Sequence, residues 1–171
     1  MSDSAIEFTL PDADATDALG RALADSFLRA REACTAAAHV DRGAVLHLRG
    51  DLGAGKTTCA RSLLRALGVT GLIRSPTYTL VEIYDLGSLR CVHVDLYRVE
   101  GAALTDELGL RDLPGPGGLM LVEWPEKGAD AVPSADLELW LDYAPAGRVA
   151  RVVAHTPQGR AWADNLRIDT R

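Results

Sequence analysis

The stretch Gly50-Asp51-Leu52-Gly53-Ala54-Gly55-Lys56-Thr57 decides how the rest of the chain is read. Its three glycines let the backbone turn tightly and aim its N–H groups to one side, because glycine alone enters positive φ without penalty. Ala44 to Leu48, just ahead, is a short apolar strand. Behind the loop, Ala60, Leu63, Leu64 and Leu67 recur at helical spacing, and Gly68 is the stop. Strand, glycine loop and helix in that order are the setting that G-x-x-x-x-G-K-[ST] requires to cradle a phosphate chain. The N–H groups around Gly53, Ala54 and Gly55 face the anion, and the helix starting near Lys56 adds its positive end. Lys56 is placed to reach the β- and γ-phosphates. Thr57 offers a hydroxyl to Mg2+, and Thr58 supports the α-phosphate. Lys56 is one of only two lysines, the other being Lys127, in a chain whose cations are otherwise arginines.

Working outward, Ala5 to Leu10 reads as a strand stopped by Pro11. Leu19, Ala22, Leu23, Phe27 and Ala30 then mark one face of a helix running to about Ala38. Thr77 to Tyr84 and Leu89 to Leu96 read as a hairpin across Asp85-Leu86-Gly87-Ser88. Gly101 to Leu113 reads as one or two short helices before a Pro-Gly cluster. Leu119 to Trp124 is a buried strand. Leu137 to Tyr143 and Arg148 to His155 make a second hairpin around Pro145-Ala146-Gly147, and Gln158 to Leu166 is a closing helix. Alternation in the first half and local pairing in the second predict an α/β fold, P-loop NTPase-like, with a mixed parallel and antiparallel sheet flanked by helices. A length of 171 residues suits one domain over 1–171, with tails expected at 1–4 and 167–171.

Nucleotide hydrolysis also needs a carboxylate at the end of a neighbouring strand, to hold Mg2+ or to orient water. Glu123 ends Leu119-Met120-Leu121-Val122-Glu123, the most apolar strand, where an unpartnered charge is least tolerable. Asp95 ends Val92-His93-Val94-Asp95. His93 shares a strand face with Asp95 and reads as an ordinary core or surface histidine. The hydroxyls of Ser75-Pro76-Thr77-Tyr78-Thr79 sit where a switch ordered by the γ-phosphate would lie. Trp124, beside Glu123, is placed either to cover the site or to pack, and packing is the more common role of a tryptophan.

A net charge of −6 disfavours direct DNA or RNA binding, which calls for a basic face. Cys34, Cys59 and Cys91 are scattered, with no metal spacing, and read as reduced thiols. Neither an apolar leader nor a membrane-length apolar run is present, so a cytoplasmic location is expected.

Four blocks together resemble one family. They are Gly50-Asp51-Leu52-Gly53-Ala54-Gly55-Lys56-Thr57-Thr58, Ser75-Pro76-Thr77-Tyr78-Thr79-Leu80-Val81, His93-Val94-Asp95-Leu96-Tyr97-Arg98 and Val122-Glu123-Trp124-Pro125-Glu126. They are similar, in the same order, to those of the TsaE (YjeE) family, and the likeness spans about Leu10 to Val153. It implies an ATPase with ATP and Mg2+ as cofactors, working with TsaB and TsaD in threonylcarbamoyladenosine formation at position 37 of tRNA. It would meet tRNA only through that complex. The resemblance implies that Lys56 holds phosphate, that Thr57 and Glu123 hold Mg2+, and that Asp95 assists hydrolysis. It also places Ala13, Thr16 and Gly147 on the adenosine side of the nucleotide. The stretch from Leu28 to Arg42 is longer than the family's usual link.

A small-molecule P-loop kinase is the alternative. It would need an Arg-bearing lid, and Gly101 to Gly117 holds only Arg111. A regulatory GTPase is the weaker reading, because guanine readout by the usual Asn-Lys-x-Asp element is impossible: Asn165 is the sole asparagine, and Leu166 follows it. Asp106-Glu107-Leu108-Gly109 fits D-x-x-G only as a common pattern. A non-catalytic nucleotide-dependent adaptor overlaps the family reading.

Overall fold

The computed structural model describes residues 5–35, 42–99 and 109–168. Ten elements follow in chain order. They are β1 (Ile6–Leu10), α1 (Ala13–Thr35), β2 (Ala44–Arg49), α2 (Lys56–Ala66), β3 (Val81–Asp85), β4 (Arg90–Asp95), β5 (Leu119–Glu123), β6 (Leu137–Tyr143), β7 (Arg148–Ala154) and α3 (Pro157–Asp164). The strands make one sheet in the order β1-β7-β6-β2-β5-β4-β3. Strands β6, β2, β5 and β4 are parallel and central; β3 pairs antiparallel with β4 at one edge, and at the other β7 pairs antiparallel with both β6 and the edge strand β1. This is the mixed, helix-flanked α/β sheet that the pattern of elements predicts.

The central strands are apolar throughout because both sheet faces are covered. Leu46, Leu48, Leu119 and Leu121 pack on one face with Leu19, Leu23, Leu63 and Leu64 of α1 and α2. Val45, Val92, Val94, Met120 and Val122 pack on the other with Leu96, Val99, Leu110 and Val132. Alternation along β4 and β5 therefore puts His93, Asp95 and Glu123 on the α2 side. The register pairs Asp95 with Glu123, and Glu123 also with Leu48 on β2. Both acids thus sit at one level, beside the strand that feeds the glycine loop.

Helix α1 fixes α2 against the sheet through a close approach at Gly20. A Cβ there would lie 2.5 Å from the Cys59 carbonyl oxygen and 2.7 Å from Ser62 Cβ. Beside this contact the Ser62 hydroxyl donates to Asp17. Helix α3 locks the far half of α1, where Trp162 Nε1 donates to the Leu23 carbonyl at 2.9 Å and the Trp162 ring packs on Phe27.

The elements depart from the sequence reading at several places. The strand expected from Thr77 begins at Val81, because Thr77 turns its hydroxyl to Asp95 and Leu80 adopts φ 65. The last helix starts at Pro157, capped by the Thr156 hydroxyl, and ends at Asp164. A 3-10 turn, Pro125–Ala131, follows β5 where none was expected. Of the expected helices in 101–113, residues 101–108 lie outside those described, and Leu110–Asp112 is a single 3-10 turn. The expected extension of α1 over 36–38 also lies outside them. Among the described residues, no helix is long and apolar enough to cross a membrane.

Replacing Gly20 by valine forces a branched side chain between α1 and α2. We expect a loss of about 1–3 kcal/mol, the usual range for overpacking, read as a lower urea midpoint at unchanged slope.

Candidate phosphate-binding site

The glycine loop leaves the end of β2 with Gly50, Gly53 and Gly55 at φ 132, 79 and 111. Gly50 is also sterically obligatory, since a Cβ there would run into the Leu141 carbonyl of β6. Gly55 is the N-cap of α2 in the left-handed region, and no side chain caps the helix. Its first N–H groups therefore remain for an external acceptor.

A loop with inward N–H groups must turn its carbonyls elsewhere, and four successive carbonyls each meet a donor. Lys56 Nζ donates to Gly50 O at 2.6 Å and to Asp51 O at 2.8 Å. Tyr143 Oη donates to Leu52 O at 2.9 Å, and Arg148 donates to Gly53 O at 3.1 Å. Tyr143 and Arg148 face each other across the β6-β7 hairpin, so that hairpin clasps the loop from outside.

Lys56 is 4% exposed and lies 3.9 Å from the centre of the Trp124 ring. Burial pulls its ammonium below the ordinary lysine range, while Glu123, Glu126, Asp95 and Asp51 push the other way. Trp124 itself holds φ 58 and packs on Tyr97.

Glu123 is 2% exposed, and both its oxygens are engaged. Thr57 Oγ1 donates to Oε2 at 2.8 Å, and His93 Nε2 lies 2.8 Å from Oε1. Asp95 is equally enclosed. Ser75 and Thr77 hydroxyls each donate to its Oδ2 at 2.8 Å, and the Tyr97 N–H donates to Oδ1 at 2.9 Å.

Lys56, Thr57, Thr58, Ser75, Thr77, Asp95, Glu123 and Trp124 line a single cleft of about 270 Å³ with Gly53 and Gly55. Ala54 is fully buried beneath the loop. Of the residues assigned to the adenosine side, Thr16 abuts Gly55, its Cγ2 lying 3.2 Å from where a Cβ on that glycine would stand. Gly147 packs on Leu10 and Pro11, leaving no room for a Cβ, and Ala13 begins α1 two residues beyond Pro11. Thr16 thus sits on the loop's flank near Arg148, and none of the three lines the cleft. Arg111, the cation of the supposed lid, donates instead to the Asp130 carbonyl, over a separate cleft on the other side of Pro125. A larger apolar cavity of about 360 Å³ opens at the opposite end of β2. Its arginines are already engaged, Arg31 with the Ser88 carbonyl and Arg42 with Asp136. Cys59 and Cys91 are buried free thiols; burial pushes Cys91 up to about 12 and Cys59 higher still, so neither is nucleophilic.

Three features of the site escape sequence reading. Tyr143 and Arg148 lie some 90 residues from the loop, in a hairpin whose register no short motif reports. The His93–Glu123 contact needs the β4-β5 pairing. The Trp124 ring reaches Lys56 only because residue 124 adopts a left-handed backbone, which a tryptophan does not advertise.

Fold and loop together define an α/β protein of the P-loop type. Residues 10–151 match the family model described as threonylcarbamoyl adenosine biosynthesis protein TsaE. The chain belongs to the TsaE family. It is 38% identical over 122 residues to the tRNA threonylcarbamoyladenosine biosynthesis protein TsaE of Haemophilus influenzae, covering 71% of this chain and 77% of that one. The Bacillus subtilis protein of the same name is 36% identical over 126 residues, covering 74% and 77%. The crystal structure of YdiB from Bacillus subtilis superposes with a TM-score of 0.70 at 26% identity, over 97% of this chain and 96% of that one.

If the hairpin clasp holds the loop, Tyr143→Phe combined with Arg148→Ala will speed amide exchange over residues 50–55. Two lost hydrogen bonds at about 1 kcal/mol each predict roughly a tenfold or greater increase, with strands β2 and β5 unaffected. Hydrogen-exchange mass spectrometry of the nucleotide-free protein reads this directly.

Proposed function

We propose that this protein is a Mg2+-dependent ATPase that works with TsaB and TsaD in forming threonylcarbamoyladenosine at position 37 of tRNAs reading codons that begin with A. ATP binding and hydrolysis support cycling of that complex and not the transfer of the group. The protein meets tRNA through the complex, in the cytoplasm, and turns over slowly alone. The observation that carries the reading is the convergence of an uncapped helix N-terminus, Lys56, Thr57, Glu123 and Asp95 on one cleft.

The donor set suits Mg2+. Thr57 Oγ1 and Glu123 Oε2 are hard oxygens already 2.8 Å apart at the cleft wall and would hold the ion, which at phosphate sites needs only one or two protein ligands. When bound, the ion neutralises charge on the β- and γ-phosphates. The chain's own groups do the rest. Lys56 leaves the Gly50 and Asp51 carbonyls to meet the phosphates. The N–H groups of Gly53 and Gly55 and of the start of α2 donate to phosphate oxygens, the Ala54 N–H leaves the Asp51 carbonyl to join them, and Thr58 backs the α-phosphate. Asp95, held by Ser75 and Thr77, is positioned to orient the attacking water and to report the γ-phosphate to residues 75–80. Trp124 and Tyr97 shield the cleft from bulk water. Ala13, Thr16 and Gly147 border the adenosine.

Lys56→Ala or Thr57→Ala should abolish hydrolysis and weaken Mg·ATP binding at least tenfold, the effect of losing about 1.4 kcal/mol or more of charge-assisted contact. Isothermal titration checks this, and unchanged affinity in both variants would remove the assignment. With no guanine-reading element, ATP should outcompete GTP for the site in displacement of a labelled nucleotide.

The two acids should separate in a Mg2+ titration of ATPase activity with TsaB and TsaD present. Glu123→Gln should raise the Mg2+ concentration for half-maximal activity. Asp95→Asn should lower turnover and leave that midpoint nearly unchanged. The opposite pattern would exchange their roles.

A further inference from the structure

His93 sits on β4 with no exposed surface, between the sheet and α2. A histidine so placed loses its hydration and needs partners for both ring nitrogens. It has one. Nε2 lies 2.8 Å from Glu123 Oε1, while Nδ1, also buried, has no hydrogen-bond partner.

The arrangement is asymmetric in a way that core packing does not require. An apolar side chain would fill the same place without an orphaned nitrogen. The single bond that His93 makes falls on the one oxygen of Glu123 that Thr57 does not use. With Oε1 fixed by the imidazole, rotation of the carboxylate is stopped and Oε2 is held at Thr57, on the cleft wall. The ring is itself held by strand pairing, since His93 lies opposite Leu121 on β5 and Glu82 on β3. Its reach to Glu123 therefore does not depend on a mobile segment.

We propose that His93 is a positioning residue for the cation site, acting through Glu123 by fixing which oxygen faces the cleft. The inference rests on the reading of Glu123 as the metal-side carboxylate. Its physical content is preorganisation: a ligand whose orientation is settled beforehand loses less freedom when the ion arrives.

The test measures binding. The affinity of adenosine 5′-(β,γ-imido)triphosphate is followed by isothermal titration over a Mg2+ series and in EDTA, for wild type, His93→Leu, His93→Gln and Glu123→Gln. The Nε2 of glutamine reaches about where the imidazole Nε2 stands, and leucine fills the space without a donor. His93→Leu should raise the Mg2+ midpoint about tenfold, the usual size of an outer-shell effect on metal affinity, with EDTA affinity within about twofold of wild type. His93→Gln should restore most of the shift. Should His93→Leu not fold by near-UV circular dichroism, His93→Asn replaces it with the same expectation, because its shorter amide stops short of Glu123. An unmoved midpoint in a folded leucine or asparagine variant overturns the proposal. So does a glutamine variant shifted as far as leucine, which would make ring shape the cause. If Glu123→Gln itself leaves the midpoint in place, the metal-side reading of Glu123 falls, and the role of His93 with it. If Glu123→Gln moves the midpoint and His93→Leu does not, only the positioning role is lost.

Discussion

A backbone loop that offers its N–H groups to an anion must send its carbonyls the other way, and those carbonyls need donors of their own. Here four consecutive carbonyls, from Gly50 to Gly53, are met by Lys56, Tyr143 and Arg148. Much of the architecture serves this constraint. Strand β6 must lie beside β2 to bring Leu141 and Tyr143 to the loop, and β7 must return antiparallel to bring Arg148. Helix α1 must press on α2 closely enough that Thr16 abuts Gly55. Lys56 is engaged twice over at rest, by carbonyls and by the Trp124 ring. Any phosphate it meets is bound net of those contacts.

The opposite wall of the cleft is organised by register. Asp95 and Glu123 are paired across β4 and β5, yet their surroundings differ. Glu123 is shared between a hydroxyl of α2 and an imidazole of β4. Asp95 is enclosed by two hydroxyls from residues 75–77 and an amide from residue 97. One acid is tied to rigid elements, the other to a segment carrying a left-handed leucine at position 80. That division suits a fixed ligand on one side and a responsive contact on the other.

Much of this was legible in the sequence, for identifiable reasons. The loop carries its geometry in its glycines, and Glu123 shows itself as a lone charge after four apolar residues. The two hairpins and both major helices follow from periodicity. What stayed hidden depends on pairing between distant strands. Nothing near Tyr143 or Arg148 announces a contact with residues 52 and 53, and a lone histidine at position 93 has no local feature that names Glu123. The early start assigned to β3 failed because Thr77 and Thr79 favour strands by composition, while a buried acid on the next strand recruits the Thr77 hydroxyl and bends the chain. Tertiary demand overrode propensity there.

The shared level of Asp95 and Glu123 also constrains how such a chain is able to diverge. Side chains alternate along a strand, so one residue inserted or deleted within β4 or β5 would turn an acid from the α2 face to the opposite one and carry every apolar neighbour with it. A change of length in these strands is therefore more disruptive than a volume-conserving apolar substitution at a single position. Drift in chain length among descendants of this sequence is therefore confined to the connections, and the distances from His93 to Asp95 and from Leu119 to Glu123 are inherited as fixed intervals.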